Sequence, residues 1–166
     1  GQQGLPEGVA VLYIHALNPF GFAWLRRVNE EGVDLNRNFV DFGQPLPVNA
    51  DYAQLAHSIV PERMADWERA TRTLEEFRVD YGQQAWELAI SGGQYQFADG
   101  LFYGGSKASR SSLYLQQIMD DFGLQHRNRV AVIDVHSGLG PFGYGEVICD
   151  HPPESIGVKR ARQWYG

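Results

Sequence analysis

A chain of 166 residues, 43% hydrophobic and 20% charged, has the material for one globular domain with a core and too little to argue for two. A net charge of −6 without a basic stripe argues against a nucleic-acid partner, and no apolar run is long enough to cross a bilayer. Cys149 is the single cysteine, which rules out an intrachain disulfide or a cysteine-rich zinc site, so any metal must be held by His, Asp or Glu.

The first residues lack the basic-then-apolar pattern of a signal peptide. The expected compartment is the bacterial cytoplasm, although residue 1 is not methionine and earlier removal of an export signal stays open. Gly8 to His15 is a short run of β-formers, apolar on both faces and bounded by Pro6 and Asn18-Pro19; it predicts a buried parallel strand over residues 9–15. Asn18-Pro19-Phe20-Gly21 is a turn signal. Residues 22–50 have little periodicity and many Asn, Gly and Pro, which predicts a long irregular loop of the kind that is functional or disordered.

From Ala50 to about Gln94 the pattern is helical, and Pro61 can sit in the first turn of a second helix. Trp67, Leu74, Phe77, Tyr81 and Leu88 recur at helical spacing and are expected to pack in the core. Gly92-Gly93 breaks the pattern, and residues 94–106 read as a loop or hairpin. Ser106 or Ser109 can cap a third helix running to about Phe122, with Gly123 ending it. Arg129 to Val135 predicts a second buried strand that delivers His136 at its C-terminal end. A glycine-rich loop (Gly138 to Gly145), a short strand (Glu146 to Cys149) and the beginning of a helix from Ile156 follow. The order strand, helices, strand predicts an α/β architecture with crossover connections, without repeats or linkers.

In such sheets ligands collect beyond the C-terminal ends of strands, here at His15 to Asn18 and at Asp134 to Gly138. Strand alternation puts Asp134 and His136 on one face, so His136 could bind a metal while Asp134 orients its ring. A hydrogen-bonded structural histidine is the plainer possibility, because one histidine is not a metal motif. The irregular loop carries more. Asn36 beside Arg37 joins an amide to a planar guanidinium fork, a pair suited to gripping a carboxylate at two points. Arg27 could donate to a carbonyl oxygen that becomes an oxyanion. The plain alternative is a loop stitched by surface ion pairs with Glu30, Glu31 and Asp34, which are worth little.

Taken together, Asn18-Pro19-x-Gly21, Arg27-x-Asn29, Gly32-Val-Asp34-Leu-Asn36-Arg37-Asn38-Phe39 and Asp134-Val-His136-Ser137 resemble the metallocarboxypeptidase A family. The stretches after His15 and His136 are similar to an uncharacterised, largely bacterial branch of it, and aspartoacylase and succinylglutamate desuccinylase share a related Asp-Leu-Asn-Arg signature. The likeness covers about residues 9–40 and 129–150. It implies a mixed, twisted sheet with helices on both faces, incomplete in this chain. It also implies a zinc ion held by His136 and by a His-x-x-Glu motif upstream of residue 1. Asn36 and Arg37 would bind the substrate's terminal carboxylate, and Arg27 would polarise the scissile carbonyl. A glutamate and a tyrosine far downstream would complete the site.

Departures from that pattern matter equally. No His-x-x-Glu precedes Arg27, and nothing after His136 lies far enough along to be the general base. His151-Pro-Pro-Glu154 has the spacing but follows His136, and in a polyproline geometry its ends would stand ~9 Å apart, which makes it a decoy. The expectation is therefore the central part, residues 1–166, of one zinc-carboxypeptidase-like catalytic domain whose flanking parts are absent. Its parent would hydrolyse an amide next to a free carboxylate in a peptide or acyl amino acid, with no nucleic-acid or membrane partner. The alternatives are an N-acyl amino-acid deacylase of the aspartoacylase kind, and a metal-free carboxylate-binding module or inactive fragment. Alone, the chain is expected to bind zinc weakly or not at all, with His15, Glu146, His151 and Glu154 as the substitutes to consider if it binds tightly. Residues 9–15 and 130–136 are expected in one sheet with His15 and His136 at one edge. Asn36 and Arg37 are expected to face the cavity of His136, with Arg27 nearer the metal position than Arg37.

Overall fold

Asn18, Asn49 and Ser109 each stand one residue before a helix, and the side chain of each accepts a backbone N–H from the first turn. Such caps satisfy donors that a helix start leaves unpaired. The computed structural model describes residues 4–136, 141–145, 148–149 and 151–166. Its helices are α1 (Pro19–Trp24), α2 (Ala50–Ile59), α3 (Trp67–Tyr81), α4 (Gln83–Ser91), α5 (Arg110–Asp121) and α6 (Ile156–Tyr165), with single 3-10 turns at Leu35–Arg37, Met64–Asp66 and Leu124–His126. The chain divides into two units, Gly1–Arg127 and Asn128–Gly166.

In the first unit, α2, α3 and α4 pack around Leu55, Phe77 and Ala89, with Ile59, Leu74 and Trp86 against them. Gly82, at φ +88°, ends α3 and starts α4, a backbone conformation that L side chains rarely adopt. The expected core stripe is only partly internal. Phe77 is buried, whereas Trp67 and Tyr81, at the two ends of α3, and Leu88, on α4 beyond the break, are exposed. Pro61 lies between α2 and the 3-10 turn at Met64 and opens no helix. Ser109, not Ser106, caps α5, and Gly123 follows it in the left-handed conformation.

The expected α/β sheet does not form. Among the described residues the fold is helical, and extended pairing is confined to two isolated bridges, Val28 with Asp34 and Gln94 with Tyr103. Residues 9–15 and 130–136 are irregular and exposed, Tyr13 to 88% and Val132 to 85%. Their β-forming composition is a preference for an extended, packed surface. A strand also needs a neighbour to take its N–H and C=O groups, and neither segment has one among the described residues. His15 and His136 therefore share no sheet edge; His15 instead packs edge-to-face on Phe22 at 5.1 Å. Of the strand expected at Glu146 to Cys149, Ile148 and Cys149 are not in a strand, while Glu146 and Val147 lie outside the described residues, as do Ser137 to Gly140.

This packing gives a direct test in urea unfolding. Phe77→Ala and Leu55→Ala should each lower stability by about 2–5 kcal/mol, whereas Leu88→Ala should change it by no more than about 0.5 kcal/mol. Equal losses at all three positions would show that the core has been misassigned.

Candidate functional site

The loop after α1 is held by two buried apolar side chains, Val33 and Leu35, and by three polar ones that are buried and hydrogen-bonded. Asn29, 4% exposed, accepts the backbone N–H groups of Glu31 and Val33 on its Oδ1 at 3.0 and 2.9 Å. Asp34, 2% exposed, is held by its own N–H to the Tyr103 carbonyl at 2.8 Å. Its Oδ1 accepts the Asn36 N–H at 3.1 Å, which caps the 3-10 turn carrying Asn36 and Arg37. Its Oδ2 accepts Arg27 Nε at 2.8 Å. Asn38, the third, bonds to the Gly104 and Lys107 carbonyls and to Ser109 and Ser112.

Arg27 thus spends Nε on a buried carboxylate and lays its guanidinium 5.1 Å from the Phe102 ring centroid. Its two Nη atoms make no hydrogen bond among the described residues, and its side chain is 49% exposed. Of the three acids that the plain alternative named, Glu30, Glu31 and Asp34, only Asp34 pairs with an arginine of this loop among the described residues. Asp34 takes Arg27, and Glu31 faces Lys107 at 3.7 Å on the surface. Removing one partner of a pair with a buried carboxylate costs far more than breaking a surface pair.

Asn36 is exposed, and its side chain makes no hydrogen bond among the described residues. Arg37 is half-buried. Its Nη2 donates to the Ser91 carbonyl at 2.7 Å, its Nη1 donates weakly to the Asn36 carbonyl at 3.4 Å, and its own carbonyl accepts the Tyr95 hydroxyl at 2.6 Å. Arg37 Nε is buried without a hydrogen-bond partner among the described residues. Two open clefts flank this loop. One, of about 480 Å³, is lined by Val48, Leu88, Gly93 and Tyr95 among others; the second, of about 510 Å³, by Asn38, Phe39, Asp41 and Ser112 among others. Neither is lined by Arg27, Asn36 or Arg37.

Three of the expected site residues, Arg27, Asn36 and Arg37, therefore share the first unit and are brought together around Asp34. His136 and Asp134 belong to the second unit, where His136 Nε2 lies 3.0 Å from Asp134 Oδ2 and both side chains are exposed. With Nε2 on the carboxylate, Nδ1 is the ring nitrogen open to a ligand. A zinc site takes three or four protein ligands, and the described residues bring no three His, Cys, Asp or Glu side chains together, so by themselves they do not fit a zinc centre. Around His151 the backbone is not the extended polyproline form expected of two prolines. The Ser155 N–H bonds back to the Pro152 carbonyl at 2.9 Å, and the His151 ring lies against Gly157, which has no room for a Cβ.

Sequence reasoning missed Ser91, Tyr95 and Phe102, which touch the two arginines. Gly92-Gly93 was visible as a helix breaker, but nothing local links it to a side chain more than fifty positions earlier.

Tyr95 supplies a pH test of this geometry. Burial raises its hydroxyl above the ordinary 10.0, opposed by the nearby positive charge of Arg37 and assisted by the negative charge of Asp34. The unfolded chain therefore ionises first, so the stabilisation is complete below pH 10.0 and is lost as pH rises through the folded value. The phenolate absorbance of wild type minus Tyr95→Phe should show a step above pH 10.0. A step at or below that value would mean that Tyr95 is solvated.

No curated protein and no solved structure matches the chain. A family model does match, over residues 1–166, and its description is "Protein of unknown function (DUF2817)". The chain belongs to the DUF2817 family.

Proposed function

We propose that this chain carries the substrate clamp of a zinc-dependent hydrolase that cleaves an amide bond beside a free carboxylate, in the manner of the metallocarboxypeptidase A family that its motifs resemble. The observation that carries the proposal is the pair of bonds made by Asp34. One buried carboxylate holds Arg27 by Nε and the Asn36–Arg37 turn by a backbone N–H, so both arginines are set in register from a single anchor.

What remains unspent on those residues matches the chemistry. Arg37 keeps one N–H on each terminal nitrogen after its bonds to Ser91 and Asn36, which is the number a carboxylate's two oxygens accept. The Asn36 amide adds a further donor beside it. Arg27 keeps both Nη groups, and a guanidinium held rigidly by Asp34 and Phe102 can donate to a carbonyl oxygen as negative charge develops there without reorganising. His136, with Asp134 on its ring, is the residue assigned to zinc, and the partner ligands are not among the described residues.

The test uses the native gene product, loaded with zinc, against peptides and acyl amino acids with free or amidated carboxylates. Hydrolysis should require the free carboxylate. Arg37→Ala should raise KM about ten- to a hundredfold with a smaller change in kcat, since a charged hydrogen bond is worth ~1.5–3 kcal/mol. Arg27→Ala should lower kcat on the order of a hundredfold or more, because an oxyanion donor acts in the transition state. Full turnover by Arg27→Ala, or equal hydrolysis of amidated substrates, would reject the clamp. Turnover of acyl amino acids alone would identify a deacylase, and carboxylate binding without hydrolysis a binding module.

A further inference from the structure

Arg37 sits in a conformation that its own surroundings in sequence do not explain. Its aliphatic stem runs directly over Gly93, where a Cβ would lie 2.5 Å from Cδ, 2.9 Å from Nε and 3.1 Å from Cγ. Gly93 also has φ +96°, so any L side chain there is strained as well as obstructed. The guanidinium then reaches Ser91, the last residue of α4, whose carbonyl lies at the negative end of the helix and has no partner in the next turn. Tyr95 fixes the backbone of Arg37 through its hydroxyl. Asn49 holds the whole segment to the start of α2 by donating from Nδ2 to the Ala89 and Gly93 carbonyls, each at 3.0 Å.

Nε is the telling atom. A free arginine turns Nε–H to water, whereas Arg37 Nε is buried with no partner among the described residues, an arrangement that costs free energy. The residue tolerates this because the bond to Ser91 and the missing side chain at Gly93 together dictate where the guanidinium lies. Nε is thereby buried, and one N–H on each terminal nitrogen has no acceptor among the described residues.

We propose that Ser91, Gly93 and Tyr95 form a seat that positions the Arg37 fork for the substrate carboxylate, with Gly93 as the positioning residue that sets carboxylate affinity. The proposal rests on the clamp described above and extends it to residues some fifty positions away in sequence that touch no substrate. If Arg37 were only a strut between the loop and α4, loss of the seat would lower stability and leave carboxylate affinity unchanged.

The experiment measures two things on the native gene product: binding of succinate by calorimetry, and rotation about the Arg37 Nε–Cζ bond by NMR of labelled arginine side chains. Wild type should show slow rotation and bind succinate, and Arg37→Ala should lose the binding. Gly93→Ala should keep its circular dichroism, free the rotation and weaken succinate by about tenfold, the equivalent of one charged hydrogen bond. If Gly93→Ala fails to fold, Tyr95→Phe decides, since it removes one bond to Arg37 without adding bulk; it should weaken succinate by about threefold. Either variant binding succinate like wild type while losing thermal stability would overturn the seat. Wild type that holds Arg37 still and binds no succinate would reject the clamp itself, and the seat's role with it.

Discussion

Every hydrogen-bonding position on the Asn38 side chain is used inside the protein. Its Oδ1 accepts the Ser109 N–H at 2.7 Å and the Ser112 hydroxyl at 2.6 Å, and its Nδ2 donates to the carbonyls of Gly104 and Lys107 at 2.8 and 3.0 Å. An amide has two donors and two acceptor positions, so this one is saturated, and at 1% exposure water competes for none of them. The loop it anchors also buries two apolar side chains, Val33 and Leu35. Its position depends on a buried polar group being completely satisfied, and the same holds on a smaller scale for Asn29 and Asp34. Ser109 is shared between this network and the cap of α5, so the helix start and the loop end are set by one residue.

Apolar packing and polar anchoring meet on α4. Ala89 and Trp86 face Leu55 and Phe77 in the small core, while the end of the same helix offers the Ser91 carbonyl to Arg37. Burial of a few side chains thereby fixes, through about two turns of helix, where a guanidinium can lie. The segment beyond is organised just as locally. Gln94, 2% exposed, accepts the N–H groups of Gln96 and Phe97 and donates to the carbonyls of Phe97 and Leu101, so the turn that carries Phe102 beneath Arg27 is built around one side chain. Phe102 itself has φ +53°, an uncommon backbone conformation for an aromatic residue, at the point where its ring meets the arginine.

Helix boundaries were legible where a capping residue or a glycine wrote them. Ser109 and Gly123 bracket α5, Gly92 follows α4, and the Asn49 cap stands where periodicity begins. Arg27, Asn36 and Arg37 were legible as a group because their residue types suit carboxylate chemistry. Their registration on Asp34 was not, since Asp34 looked like one of three equivalent surface acids until its burial separated it from Glu30 and Glu31. The sheet was the error. Val9 to Ile14 and Val130 to Val135 have the right composition for strands, but pairing is a property of two segments, and composition describes one at a time. The stripe from Trp67 to Leu88 failed in two ways: Leu88 lies beyond the break at Gly82, and Trp67 and Tyr81 stand at the ends of α3, away from the core that buries Phe77.

The contacts around Arg37 and Asn38 join residues far apart along the polypeptide: 54 and 58 positions separate Arg37 from Ser91 and Tyr95, and 66 to 74 separate Asn38 from its partners in and beside α5. Contacts of such separation are entropically expensive to close. The arrangement around Arg37 and Asn38 therefore depends on α2, α4 and α5 together. Partial opening of any one of those helices would dismantle it before the rest of the molecule unfolds. Any ligand that bound Arg37 in this arrangement would oppose that opening, so its affinity would carry the stability of helices that it does not touch.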